Sequence, residues 1–310
     1  MNYRKGVIKL KDTKLIKGTL ITLIAAASFG AAAPVAKLLF SMGVTPYFML
    51  AIRFLIASTL LWGYIFVKRK EINFRLEKEQ LLVMFLIGGL IYFLTTSLYF
   101  NAIKYIPVSL HVMIFYTYPF MVNLFALIVL KEKMSIKQIV ALFVAFGGIL
   151  LILTDLNSDI KMIGIVLSIL AAIFNGTYVL ALGLKKIKNV NSVVTAAYTN
   201  TFSALTFIAY CLAIGETNLN IDLIVWQGIV FIALVPTVIA IIALSEGIKM
   251  IGAAKASIIS TFEPIEGVIL SIIILGEQLV INQIFGVVFV ILAIVVINLD
   301  DRKTKLVVNK

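Results

Sequence analysis

Ten apolar runs, each about as long as a lipid bilayer is thick, constrain this chain more than anything else in it. They fall at about 18–40, 47–67, 80–100, 107–130, 136–153, 162–184, 192–214, 223–244, 253–275 and 280–299. A helix needs roughly 20 apolar residues to cross the hydrocarbon core. The runs are continuous rather than alternating, which argues against a membrane β-barrel. At 62% hydrophobic and 14% charged residues the chain is too apolar for a soluble domain. The runs therefore predict an all-α integral membrane protein with ten transmembrane helices.

The formal net charge of +12 would suggest nucleic acid in a soluble chain. Its placement gives another reading. The tail 1–17, the loop 68–78, the loops after the fourth, sixth and eighth segments, and the tail 300–310 hold 23 of the 27 lysines and arginines. With ten spans all of these lie on one side, and positive loops mark the cytoplasmic side. Both termini are thus expected in the cytoplasm of a cell-membrane protein, with the lipid bilayer as its surroundings and no nucleic-acid partner. One cysteine, Cys211, and one histidine, His111, rule out an internal disulfide and a Cys/His metal centre. No cofactor motif is present, and no Gly-x-x-x-x-Gly-Lys-Ser/Thr loop for ATP. The basic tail before Ala25-Ala26-Ala27 is similar to a signal peptide, but the apolar stretch from Gly18 to Phe40 is longer than a signal core.

An offset of 145 residues lays the chain over itself. Between 101–139 and 246–284, eleven of 39 positions match without a gap, among them Lys104/Lys249, Pro119/Pro264, Glu132/Glu277 and Gln138/Gln283. Each copy holds five spans, an odd number, so the second copy sits inverted relative to the first. The domain reading is a basic tail 1–17, a five-helix repeat 18–153, a second five-helix repeat 161–299, and a basic tail 300–310. Inverted repeats of this kind build many secondary transporters, with the substrate near the midplane between the halves.

Phe262-Glu263-Pro264-Ile265-Glu266, Leu275-Gly276-Glu277-Gln278, Gln283 and Gly286 resemble the second-repeat pattern of the EamA branch of the drug/metabolite transporter superfamily. Tyr118-Pro119, Lys131-Glu132-Lys133 and Gln138 match its first repeat more loosely, and Arg53 and Lys37 stand where that family often has basic residues. The resemblance implies a carrier of small metabolites, often an exporter. Ala31-Ala32-Ala33-Pro34 departs from it, because the family more often has larger or polar residues after the glycine.

Ionisable groups within spans usually face the protein interior or water. Glu263 and Glu266, three residues apart in the ninth segment, share a helical face. They suit an amine-bearing substrate or a proton. Alternatively, Glu263 supports the backbone carbonyl that Pro264 frees. Arg53 suits a carboxylate, and Lys37 either does the same or snorkels to the interface. The offset makes Tyr118 the partner of Glu263 and Met121 the partner of Glu266. Tyr118, Tyr99, Asn175 and Tyr178 are candidate substrate-binding residues with Glu263, Glu266 and Arg53, and Tyr92 and Tyr116 are further candidates for a cavity lining. Pro119 and Pro264 are candidate hinges for alternating access. Trp62 and Trp226 read as interface aromatics, and His111 reads as structural. The expected function is non-enzymatic: a secondary transporter, an exporter of small polar or amphipathic metabolites such as amino acids, working as a monomer or homodimer. The alternatives are a non-transporting scaffold or sensor and an intramembrane lipid-modifying enzyme.

Overall fold

The structure, a computed structural model, describes residues 2–106, 111, 114–129, 135–152, 161–216 and 222–266, together with 270, 273, 285, 288, 289 and 292. Every regular element among them is helical. Six helices are long and apolar enough to cross a membrane: Thr13–Ser41, Pro46–Val67, Lys78–Ala102, Met162–Leu182, Ser192–Ile214 and Leu223–Ile251. They are segments one, two, three, six, seven and eight. Segments four, five and nine contribute the helices Tyr118–Val129, Ile136–Ile152 and Ala253–Ile259. Segment ten apart from 285, 288, 289 and 292, the tail 300–310, Glu132 and Glu277 lie outside the described residues.

Local chemistry sets the helix ends. Thr45 caps segment two by accepting from the Phe48 N–H at 3.3 Å, with Pro46 in the first turn where its missing N–H costs nothing. The Asn191 side chain accepts from the Val193 N–H at 2.9 Å to start segment seven. That segment ends at Gly215, whose φ of 75° belongs to the left-handed region. Segment one is interrupted: the helix Asn2–Gly30 gives way at Ala31 to Ala32–Ser41.

The packing repeats itself when the two halves are exchanged. Segment two packs on seven, and four on nine. One packs on eight, as six does on three; two packs on eight, as seven does on three; and nine packs on one, as four does on six. Side-chain bonds obey the same exchange. Asn101 donates to the Tyr47 hydroxyl at 2.5 Å, while Ser192 donates to Glu246 at 2.5 Å. These are the same two positions in each half, 145 residues apart, and each pair ties the end of a third helix to the start of a second.

The third helix of each half also contains a wider π turn, at Leu86–Tyr92 and at Leu234–Ile239. Backbone carbonyls left without a normal partner inside a membrane must find another. Pro236 removes the N–H that would bond the Ile232 carbonyl, and the Thr237 hydroxyl donates to it instead at 2.7 Å. In segment three the donors come from segment seven: Ser203 to the Gly88 carbonyl at 2.9 Å and Thr206 to the Gly89 carbonyl at 3.0 Å. Gly88 makes this reach possible, because a Cβ there would lie 2.9 Å from the Thr199 Cα. Without a strong hydrophobic drive between helices in lipid, such small-residue contacts and interhelical bonds carry the association.

Segment five exposes Ile136, Val140 and Phe143, as an outer helix would. Trp62 differs from the interface reading. Its indole turns inward, donates to the Thr201 hydroxyl at 2.9 Å, and packs edge-on to Tyr198 at 5.1 Å.

Candidate functional site

Two broken helices frame the site. In segment nine the helix narrows to a 3-10 turn at Ser260–Phe262 directly before Glu263. Pro264 leaves the Ser260 carbonyl without its normal donor, and the Glu263 N–H takes it at the shorter spacing. In segment four the helix opens at Tyr116 and Thr117 before restarting at Tyr118. The Thr117 hydroxyl and N–H both bond the Ile114 carbonyl, at 2.7 and 3.1 Å. The two prolines thus interrupt equivalent helices at equivalent places.

Glu263 is the hub. It is in hydrogen-bond contact with Tyr116 and within electrostatic reach of Tyr92, Tyr99, Tyr118 and Glu266. Tyr118 in turn reaches Ser260. Phe115 packs these rings together, with centroids 4.9 Å from Tyr99, 5.8 Å from Tyr116 and 5.6 Å from Tyr118.

Arg53 reaches the same Tyr92. Only 3% exposed, it lies 4.7 Å from the Phe54 ring centroid and in hydrogen-bond reach of Tyr92. Its Nε has no hydrogen-bond partner. Tyr92 stacks on Tyr178 at 4.5 Å, and Tyr178 lies in the field of Arg53. The Tyr178 hydroxyl is also buried and unpartnered. A buried guanidinium whose Nε is left without a partner is costly unless something answers it. Tyr92 therefore bonds a basic group of the first half and lies in the field of an acidic group of the second.

The structure gathers Arg53, Tyr92, Tyr99, Tyr118, Tyr178 and Glu263 into one continuous cluster. Asn175 is half-buried on segment six, one turn before Tyr178. Glu266 is displaced from the cluster towards segment one, where its Oε2 is buried without a partner. Gly30 makes room for it: a Cβ on Gly30 would collide with that carboxyl and lie 2.8 Å from the Glu263 carbonyl oxygen. This role of Gly30 has no signature in the sequence beyond a glycine before a small-residue run. His111 is buried on segment four. The Ser168 hydroxyl donates to the Gly164 carbonyl at 2.7 Å, so His111 Nδ1, 2.8 Å from that hydroxyl, is the donor between them. The Lys37 side chain lies outside the described residues.

A membrane-embedded cluster of this kind, between two equivalent helical halves, defines a multi-pass membrane protein with a site shared by both halves. The chain belongs to the EamA-like transporter family, whose profile matches residues 16–154 and again 162–299. It is similar to the uncharacterized transporter YyaM of Bacillus subtilis (strain 168), 30% identical over 245 residues, covering 74% of this chain and 80% of that protein. The uncharacterized transporter YcbK of the same organism is 26% identical over 278 residues, covering 87% and 88%. A solved crystal structure superposes with a TM-score of 0.77 over 93% of this chain and 98% of its own, at 18% identity, which shows a shared fold.

Proposed function

We propose that this protein is a secondary transporter of the cytoplasmic membrane, an exporter of small polar or amphipathic metabolites such as amino acids. Ten transmembrane helices form two inverted five-helix repeats, 18–153 and 161–299, with both basic tails in the cytoplasm. The substrate sits between the repeats, and rocking about Pro119 and Pro264 exposes it alternately to either side. The observation that carries this reading is that Arg53 and Glu263 both act on the buried Tyr92, the first within hydrogen-bond reach and the second through its field. A zwitterionic substrate would set its carboxylate on the open Nε of Arg53 and its amine on Glu263, with the tyrosines as walls.

The test is a thermal-shift screen of a metabolite panel on the purified protein, with flux measured in proteoliposomes for each hit. A true substrate at about 100 times its dissociation constant stabilises by about 2.7 kcal/mol, a shift of several degrees. Arg53→Met and Glu263→Gln should each abolish that shift. Absence of flux across the panel, or a shift that survives both substitutions, refutes the proposal.

A further inference from the structure

Two helix seams in this molecule are twins in geometry and differ in chemistry. A Cβ on Gly176 of segment six would lie 2.8 Å from the Met121 Cβ and 3.4 Å from the Tyr118 carbonyl oxygen of segment four. A Cβ on Gly30 of segment one would lie 3.2 Å from the Glu266 Cβ and 2.8 Å from the Glu263 carbonyl oxygen of segment nine. Met121 and Glu266 are partners by the 145-residue offset, and so are Tyr118 and Glu263. The same atoms therefore meet the same kind of glycine in both halves. One seam closes on a thioether and the other on a carboxyl group.

Among the described residues no cation answers a charge on this carboxyl group. Its Oε2 is buried and unpartnered. Among the described residues the groups facing it are few. Glu263 stands one turn earlier on the same helix, and a second negative charge there would repel it. Tyr116 and Tyr118 of segment four face Glu263. Segment one, packed directly on Glu266, presents the backbone at Gly30. Glu266 is half-buried, and an ionised carboxylate with one oxygen held against backbone without a partner is disfavoured relative to a protonated one.

We propose that Glu266 is a proton-binding site that sets which of the two seams closes. This rests on the transport reading, in which exchanging the two halves exchanges the inward-open and outward-open states. With Glu266 protonated, the seam at Gly30 packs as tightly as its twin at Gly176. On ionisation that seam loosens while the twin, held by Met121, is unchanged. The imbalance turns a proton into a preference for one state, which couples the carrier to a proton gradient.

Hydrogen exchange on the full-length protein in nanodiscs tests this without any substrate. Peptides from 18–40 are compared with peptides from 162–184 at about pH 6 and about pH 8.5, corrected for intrinsic exchange. The wild type should lose about tenfold protection at 18–40 on going to the higher pH, and none at 162–184. Glu266→Gln and Glu266→Met should remain protected at both pH values, and Glu263→Gln should keep the response, shifted towards lower pH because the repelling charge is gone. Glu266→Met places in this seam the residue its twin already carries, so it decides the matter if the glutamine variant does not fold. A wild type without the difference between seams, or a Glu266→Met protein that keeps it, overturns the proposal. A protein that shows the pH response yet moves no metabolite supports the proton site and refutes the transport reading.

Discussion

Alanine at Gly176 should destabilise the protein, while alanine at Gly63 should not, although both glycines lie in apolar helices. At Gly176 the new methyl group would stand 2.8 Å from the Met121 Cβ. A Cβ cannot rotate out of the way, so segments four and six must part by about 1 Å to restore ordinary carbon contact. Overpacking of this kind costs about 1–3 kcal/mol, and the better helix propensity of alanine returns up to about 1 kcal/mol. The net cost is about 1–2 kcal/mol. Gly30→Ala should fall in the same range: the Glu266 carboxyl can swing aside, but the Glu263 carbonyl oxygen, 2.8 Å away, is backbone. Nothing lies within 4 Å of a Cβ at Gly63, so only the propensity gain remains there. Cys211 provides the assay, since it is free and buried and a thiol-reactive dye will report its exposure on heating. The midpoint should fall by about 2–6 °C for Gly176→Ala and Gly30→Ala and stay level or rise for Gly63→Ala. A Gly176→Ala protein as stable as Gly63→Ala would show that the helix seams are not set by glycine contact, and the twin-seam argument would fail with it.

Three further outcomes are expected from the same assay. Thr237→Val should cost about 1 kcal/mol by leaving the Ile232 carbonyl bare, and adding Pro236→Ala should recover the loss because the backbone N–H returns. Ser203→Ala and Thr206→Ala should each lower the midpoint by the equivalent of about 0.5–1.5 kcal/mol, since each removes a donor to the widened turn of segment three. Arg53→Met should leave the apo protein equally or more stable, by up to about 1–4 kcal/mol, because it removes an incompletely answered buried charge. The same variant should lose its response to carboxylate-bearing substrates, and an Arg53→Met protein that unfolds early would place Arg53 in the scaffold instead.

The helices were legible because their signal is local. Each apolar run carries its own length, and the six long helices lie close to the runs. The kinship of the halves was legible because lysine, proline and glutamate matches are rare in an apolar chain. The site was half legible. Arg53 and Glu263 stand out as charges where charge is costly, but Tyr92 joins them only after segments two, three and nine have packed. Gly30 was invisible for a different reason: a glycine in a membrane helix has many uses, and only the position of Glu266 across the seam selects one. The widened turns were equally hidden, because they answer a proline in one half and hydroxyls from a neighbouring helix in the other.

Those widened turns also alter how length maps onto reach. A π turn holds more chain per unit of rise than an α turn. Removing one residue inside 86–92 would let segment three revert to plain α-helix while Thr95, Tyr99 and Asn101 kept their facing. The same deletion a turn later would rotate everything beyond it by about 100° and take Asn101 away from Tyr47. Each half therefore carries one place where its reading frame of faces can absorb a gain or loss of a residue, and the two places overlap when the halves are laid over each other.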